Sequence, residues 1–118
     1  MSSVKQVSKE SFSREVLQSA VPVLVDFYAD WCGPCRMLAP TLERLAAEMA
    51  GRAKIVKVNV DEEPELANHF QVSSIPTLAF FAHGDLVGRT AGLAPEAGLR
   101  QALNQLARPQ SAPGRRVG

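Results

Sequence analysis

The residues best suited to chemistry are two cysteines, the only ones in the chain, which are separated by two residues in the run WCGPC at positions 31–35. The surrounding pattern predicts a buried strand over 23–28 and an amphipathic helix from 34, so the pair falls at a strand-to-helix corner. Residues at i and i+3 of a helix face the same way with Cβ atoms about 5–6 Å apart, which is near enough to close a disulfide. The spacing therefore predicts a redox-active pair, Cys32 and Cys35.

The two cysteines are predicted to differ in reactivity because of their places on the helix. Cys32 falls at or just before the first helical residue, and Pro34 suits the first turn because the donor that it lacks is not needed there. Backbone N–H groups and the dipole at a helix N-terminus favour an anion by about 0.3–2 kcal/mol, so Cys32 is expected to be the exposed nucleophile. Cys35 is expected to be more buried and to attack the mixed disulfide afterwards. The alternative is two unrelated buried cysteines.

Asp26 and Lys57 each interrupt an otherwise apolar strand pattern. If the strand of Asp26 is central, its carboxyl group is buried, its pKa is raised, and it is placed to accept the proton that leaves Cys35, directly or through water. The alternative is an exposed aspartate on an edge strand. Lys57 either lies beside Asp26 and moderates its charge or extends into solvent.

The apolar pattern alternates between strand and helix along the chain. Strands are predicted at 4–7, 23–28, 55–60, 77–81 and 86–90, and the last two are interpreted as an apolar hairpin. Helices are predicted after a cap at Ser11 and at 34–50, 64–70 and 95–107, with Met37, Met49 and Phe70 assigned to the core. This order predicts an α/β fold whose sheet is parallel in its first part and antiparallel in its second.

The length of 118 residues suits one domain, which we place at residues 1–107. Residues 108–118 lack periodicity and are rich in proline, glycine and arginine, so they are interpreted as a flexible C-terminal tail. A tail that binds a partner is the alternative.

Charge and composition argue against several classes of function. Thirteen basic and 12 acidic residues leave a net charge of +1, which offers no basic field for nucleic acid. No run reaches the length of a membrane span and the N-terminus lacks an apolar signal core, so we expect no membrane association and a cytoplasmic location. A structural zinc site normally needs about four ligands, and beyond the cysteines only His69 and His83 are available, at spacings unlike a zinc finger. Two cysteines in a reducing compartment favour redox chemistry over a structural disulfide.

Several separate motifs occur in the order and at spacings that are typical of one known family. They are VDFYADWCGPCRM at 25–37, Ala39-Pro40, KVNVD at 57–61, IPTL at 75–78, Gly84 and Gly92. On these motifs the chain resembles the thioredoxin family over residues 4–107. Two features depart from the pattern: Tyr28 replaces a tryptophan often found there, and the tail is longer than the minimal family pattern.

The resemblance implies a thioredoxin fold, with a central mixed sheet of five strands flanked by four helices. It implies a thiol–disulfide oxidoreductase that reduces disulfides in substrate proteins, with Cys32 as nucleophile and Cys35 as resolving thiol. Asp26 is then the buried proton acceptor, Lys57 its partner, and Pro76 a cis-proline opposite the cysteines.

The resemblance also implies how substrates and electrons reach the site. An apolar rim is expected to dock the substrate backbone, formed by Trp31, Gly33, Pro34, Ile75, Pro76 and Gly92. A flavoprotein thioredoxin reductase that draws on NADPH is expected to return the disulfide to the dithiol. The chain itself is expected to bind no cofactor and to be a monomer.

The residues between the cysteines indicate the direction of the reaction. Gly33 and Pro34 match the reducing members of the superfamily, whereas isomerases and periplasmic oxidants usually carry a histidine beside the second cysteine, which makes the disulfide more oxidising. Two alternatives to a general reductase remain at this point. One is a binding module that holds a partner regardless of redox state, and the other is an isomerase or oxidant.

Overall fold

The computed structural model describes residues 2–108, and its strands and helices alternate as the sequence predicts. The predicted tail, apart from Arg108, lies outside the described residues. The order is β1 (Lys5–Gln6), α1 (Lys9–Phe12, continued by a π-helical turn at Ser13–Leu17), β2 (Val23–Tyr28), α2 (Gly33–Glu48), β3 (Lys54–Asn59), α3 (Pro64–His69), β4 (Thr77–Ala82), β5 (Asp85–Ala91) and α4 (Glu96–Ala107). None of the helices within this described part is both long and apolar enough to cross a bilayer.

The five strands form one mixed sheet in the order β1-β3-β2-β4-β5. Strands β1 and β2 run parallel to β3, whereas β4 is antiparallel to both β2 and β5. The predicted α/β fold with a mixed sheet is therefore confirmed. Because β2 has a neighbour on each side, Asp26 lies opposite Lys57 on β3 and opposite Leu78 on β4.

The core consists of two apolar layers, one on each face of the sheet. Helices α2 and α4 cover one face, and α1, the π-helical turn and α3 cover the other. Along β2 the side chains alternate between these layers, as the period of two in a strand requires. Leu24 packs under α2 while Val25 and Phe27 pack on the opposite face, which places Asp26 on the α2 side.

The first helix begins earlier than the sequence predicts. Ser8, and not Ser11, is the N-cap residue. The two serines form a capping box in which Ser8 N donates to Ser11 Oγ at 3.0 Å and Ser11 N donates to Ser8 Oγ at 3.3 Å. The prediction of Ser11 as the cap is therefore wrong, because that hydroxyl serves the third position of the same motif.

Of the three residues assigned to the core, Met37 is placed differently. Its side chain is 69% exposed, whereas Met49 is fully buried and Phe70 is partly buried, packed against Phe12 at 5.3 Å between ring centroids. The buried stripe of α2 passes through Leu38, and a residue one position away is turned by about 100° around the helix. The side chain of Met37 consequently points away from the core and into solvent.

The predicted hairpin is present, but its second strand is exposed along its whole length and does not contribute an apolar face. His83 and Gly84 form the two-residue turn, both with positive φ, at +54° and +83°. A Cβ at Gly84 would lie 3.1 Å from the carbonyl oxygen of Leu17. Glycine at this position thus meets both a conformational and a steric requirement.

Two glycine substitutions test this description in opposite directions. Gly98 lies inside α4, and no atom lies within 4 Å of the point that a Cβ there would occupy, so Gly98→Ala is expected to raise the free energy of unfolding by about 1 kcal/mol. Gly84→Ala is expected to lower it by about 1–2 kcal/mol because its φ of +83° is unfavourable for alanine. Urea denaturation with unchanged m-values measures both. A destabilising Gly98→Ala or a neutral Gly84→Ala would contradict these assignments.

Candidate active site

The two cysteines lie where β2 turns into α2, as the sequence predicts. Cys32 is the N-cap residue of α2, with extended dihedral angles (φ −83°, ψ 112°), and Pro34 is in the first turn. The turn is closed by two backbone bonds, from Cys32 N to the Ala29 carbonyl at 3.2 Å and from Arg36 N to the Cys32 carbonyl at 3.1 Å. The second of these is the first hydrogen bond of the helix, so the helix starts at Cys32.

Cys32 and Cys35 are joined in a disulfide, with their Cα atoms 5.2 Å apart. The backbone N–H of Cys35 donates to Cys32 Sγ at 3.2 Å. No hydrogen bond reaches Cys35 Sγ from within residues 2–108. A free N–H at a helix N-terminus stabilises negative charge on its acceptor, so this geometry favours the thiolate of Cys32 over that of Cys35.

The predicted difference in exposure between the cysteines is wrong for this disulfide form. Both residues are 4% exposed. They pack with Ala29, and the partly buried side chains of Tyr28, Val60 and Ile75 cover them. The expectation failed because it considered the helix alone, whereas side chains from the end of β2, from the residue after β3 and from the segment before β4 also pack over the corner.

Asp26 is buried beneath the disulfide, 5% exposed, which excludes the alternative of an edge-strand aspartate. Within the described residues its Oδ1 has no hydrogen-bond partner. Burial raises the pKa of Asp26 from 3.8 to about 7, and the charge of Lys57 opposes part of that rise. A carboxyl group with this pKa exchanges protons readily near neutral pH.

A cavity of about 200 Å³ connects Asp26 to the helix. Its lining includes Asp26, Cys35 and Lys57, together with Tyr28, Ala29, Asp30, Arg36 and Ala39. Because a water molecule occupies about 30 Å³ in the liquid, the cavity has room for water between the carboxyl group and the second cysteine. The arrangement can therefore transfer a proton from Cys35 to Asp26 through solvent.

Lys57 occupies the position directly opposite Asp26 in the β2–β3 register. Its Nζ lies 5.3 Å from the centroid of the Tyr28 ring, a cation–π contact. No ion pair within 4.0 Å joins it to Asp26 in the part of the chain that the structure describes. Of the two alternatives for Lys57, the structure thus favours the first, since it lines the cavity and moderates the charge of Asp26 at a distance.

The residues expected to form a rim lie at the same end of the sheet as the disulfide, because β4 begins and β5 ends beside the end of β2. The Ile75–Pro76 peptide bond is cis, and Ile75 packs against the cysteines. Gly92, with φ +86°, donates its N–H to the Pro76 carbonyl at 2.8 Å, a conformation that favours glycine. Trp31 is 67% exposed, and Gly33 and Pro34 are also exposed at the start of α2.

Sequence reasoning missed several residues near this site. Met37 is exposed one helical turn beyond Pro34, and Leu93 is exposed directly after Gly92. Their positions beside predicted rim residues were the available signal. Met37 is three residues after Pro34 on α2, where such side chains are neighbours, and Leu93 is adjacent to Gly92 in sequence. Asp61 accepts a hydrogen bond from Trp31 Nε1 at 2.8 Å, a contact across thirty residues that no local pattern indicates.

The part of the chain between residues 2 and 108 contains no group of three or more His, Cys, Asp or Glu side chains suited to hold a metal ion.

A dithiol–disulfide pair at the start of a helix, above a buried carboxyl group on a mixed sheet, defines the class of thiol–disulfide oxidoreductases. Comparison with known proteins agrees with this class. The family model for thioredoxin matches residues 3–105.

Individual relatives of this chain are named thioredoxin or thioredoxin 1. The chain is 48% identical to thioredoxin 1 of Nostoc sp. over 105 residues, which covers 89% of this chain and 98% of the relative. It is 45% identical to the thioredoxin of Synechocystis sp. over the same shares of both chains. It is 53% identical to thioredoxin 1 of Chlorobaculum tepidum over 83 residues, which covers 70% of this chain and 82% of that relative.

The chain belongs to the thioredoxin family. It is a thiol–disulfide oxidoreductase whose redox-active centre is the pair Cys32 and Cys35. The family uses its own disulfide for electron transfer and needs no bound cofactor.

The buried carboxyl group predicts an unusual dependence of stability on pH. In the unfolded chain Asp26 ionises near its ordinary pKa of 3.8, whereas in the folded protein its pKa is about 7. Between about pH 4 and pH 7 unfolding therefore releases a proton, and the contribution of Asp26 to stability falls as the pH rises. At pH 8 the loss amounts to about 4 kcal/mol, whereas at pH 4 it is small. Asp26→Asn should accordingly stabilise the protein at pH 8 and change little at pH 4.

Urea denaturation of wild type and variant from pH 4 to pH 8 measures this difference. The exposed Asp85→Asn variant controls for the removal of one carboxylate. Curves for Asp26→Asn and wild type that stay parallel over the whole pH range would show that Asp26 is not held in a raised-pKa state.

Proposed function

We propose that this chain is a general reductase of disulfides in other proteins, with Cys32 as the attacking sulfur and Cys35 as the resolving one. The observation that carries the assignment is the hydrogen bond from Cys35 N to Cys32 Sγ, at 3.2 Å, because it favours charge on one sulfur only. Asp26 serves as the proton acceptor for Cys35, and Lys57 moderates its charge.

The proposed reaction proceeds in two exchange steps. The Cys32 thiolate attacks one sulfur of a substrate disulfide, forms a mixed disulfide, and releases the other substrate sulfur as a thiolate that takes a proton from solvent. Cys35 then loses its proton to Asp26 through the cavity, and its thiolate attacks Cys32 Sγ. This step breaks the mixed disulfide, releases the second substrate sulfur as a thiolate that takes a proton from solvent, and leaves the Cys32–Cys35 disulfide that the structure contains. The substrate gains two electrons and this chain loses two.

Access to the reactive sulfur requires a docking surface, because both cysteines are only 4% exposed in the disulfide form. We assign that surface to the docking rim, defined as Trp31, Gly33, Pro34, Ile75, Pro76 and Gly92. Backbone groups beside the cis bond and the exposed indole ring provide polar and apolar contacts to an extended substrate segment. The rim is thus proposed to select protein disulfides over small ones.

The partners and setting follow from the same chemistry. Substrates are disulfide-containing proteins, and regeneration of the dithiol is assigned to a flavoprotein thioredoxin reductase that draws on NADPH. Neither residue between the cysteines, Gly33 or Pro34, is a histidine, which supports a reducing role over that of an isomerase or oxidant. We assign this role to the cytoplasm. The chain is proposed to act as a monomer, with residues 1–107 as the domain and residues 108–118 as its tail.

Substitution of each cysteine separates the proposed roles. Cys32→Ser should abolish reduction of insulin disulfides with dithiothreitol as electron source, because the remaining Cys35 lacks the N–H contact that favours a thiolate at Cys32. Cys35→Ser should still attack but should accumulate a mixed disulfide with the substrate, which mass spectrometry and non-reducing gels detect.

Insulin reduction by the Cys32→Ser variant at the wild-type rate would sink the proposed chemistry. A binding module would instead retain partner binding in the double serine variant and show no reductase activity in the wild type. The Ser19→Ala variant, remote from the cysteines in the turn before β2, serves as the matched control and should reduce insulin at the wild-type rate.

A further inference from the structure

Trp31 is held in place by one polar contact. Its side chain is 67% exposed, and its indole Nε1 donates to Asp61 Oδ2 at 2.8 Å. An exposed ring without such a contact exchanges among rotamers, and fixing it at the moment of binding costs conformational entropy. The Asp61 carboxylate therefore determines how far Trp31 is preorganised beside Cys32.

Asp61 in turn is positioned by Asn59, the last residue of β3. Asn59 Oδ1 accepts two backbone bonds, from Asp61 N at 2.9 Å and from Glu62 N at 3.2 Å. The Asn59 carbonyl accepts from Glu62 N at 3.2 Å and from Glu63 N at 2.8 Å. These four bonds turn the chain sharply after β3, in the manner of an Asx turn, and direct the Asp61 side chain toward Trp31.

Asn59 is itself fixed by the sheet. It is 3% exposed and lies opposite Tyr28 in the β2–β3 register. Burial, the larger influence, raises the pKa of the Tyr28 hydroxyl, although the neighbouring Asn59 amide lowers it. A buried amide whose oxygen accepts two backbone bonds has one favourable orientation, so the turn that it supports is well defined.

We propose that Asn59 is a positioning residue of the docking rim, which holds Asp61 so that Trp31 is oriented for protein substrates before they arrive. Asn59 acts through Asp61 and touches neither the substrate nor the cysteines. The inference rests on the docking role proposed above for Trp31. Asn59, at the end of β3, thus contributes to substrate recognition and not to the exchange chemistry.

Fluorescence tests the positioning directly, because Trp31 is the only tryptophan in the chain. Asn59→Ala should lower the steady-state anisotropy of Trp31 and increase its collisional quenching by acrylamide. Asn59→Asp keeps a side-chain oxygen that accepts the two backbone bonds, so it should restore both signals toward wild-type values. Glu62→Ala, one residue beyond Asp61, is the matched control and should leave both unchanged.

Kinetics separate positioning from a general structural effect. Asn59→Ala should raise the KM for insulin about fivefold, the factor that corresponds to one hydrogen bond, while kcat stays at the wild-type value. Reduction of a small disulfide, 5,5′-dithiobis(2-nitrobenzoic acid), should proceed at the wild-type rate, because so small a substrate makes little use of the rim. The redox potential of the cysteine pair should also be unchanged.

A second pair of variants keeps the test decisive if Asn59→Ala does not fold. Asp61→Asn retains an oxygen acceptor for the indole N–H and should behave as wild type, whereas Asp61→Ala should reproduce the loss of anisotropy and the higher KM. Unchanged anisotropy in both alanine variants, or equal losses with insulin and the small disulfide, would overturn the inference. A wild-type protein that reduces the small disulfide but not insulin would instead contradict the proposed function.

Discussion

The passage of the chain from β2 into α2 is the constraint on which the site depends. Cys32 must end the turn in an extended conformation so that α2 can begin at Gly33, and this places the N–H of Cys35 on Cys32 Sγ at 3.2 Å. The same turn keeps both sulfurs on one face of the helix, 5.2 Å apart at Cα, where a disulfide closes. Because β2 is central in the sheet, the corner is anchored by apolar packing on both faces and has little freedom to change.

Near this corner the fold retains a buried acidic side chain, Asp26, that lowers the stability of the protein. Among residues 2–108 no group hydrogen-bonds Oδ1 of the buried Asp26, whose pKa is about 7, whereas an apolar residue there would fill the space beside Leu78 without an electrostatic penalty. A buried acid that is half ionised near neutral pH can take up or release a proton, and the cavity leads from it to Cys35. The destabilising group and Cys35 therefore line one cavity, the arrangement on which the proposed proton transfer depends.

Much of this arrangement could be predicted from the sequence. The strand and helix periods indicated the order of elements, and the interruption of an apolar run by Asp26 indicated burial once β2 was taken as central. Other features depend on side chains that meet only in the folded protein: the equal burial of Cys32 and Cys35 under Ile75, and the contact of Trp31 with Asp61. Two other errors were small in sequence distance. The first cap is Ser8 and not Ser11, three residues away, and the buried stripe of α2 passes through Leu38 and not through the adjacent Met37. The cis bond before Pro76 was implied by family resemblance alone, since an X–Pro bond is cis in only about one case in twenty.

We propose that the start of α2 makes the sulfur of Cys32 far more reactive than that of Cys35. Brief alkylation of the reduced protein with iodoacetamide near neutral pH, followed by peptide mapping, measures this directly, because the thiolate is the species that reacts. Cys32 is expected to be modified at least about tenfold faster than Cys35. Equal labelling of the two cysteines, or faster labelling of Cys35, would contradict the claim.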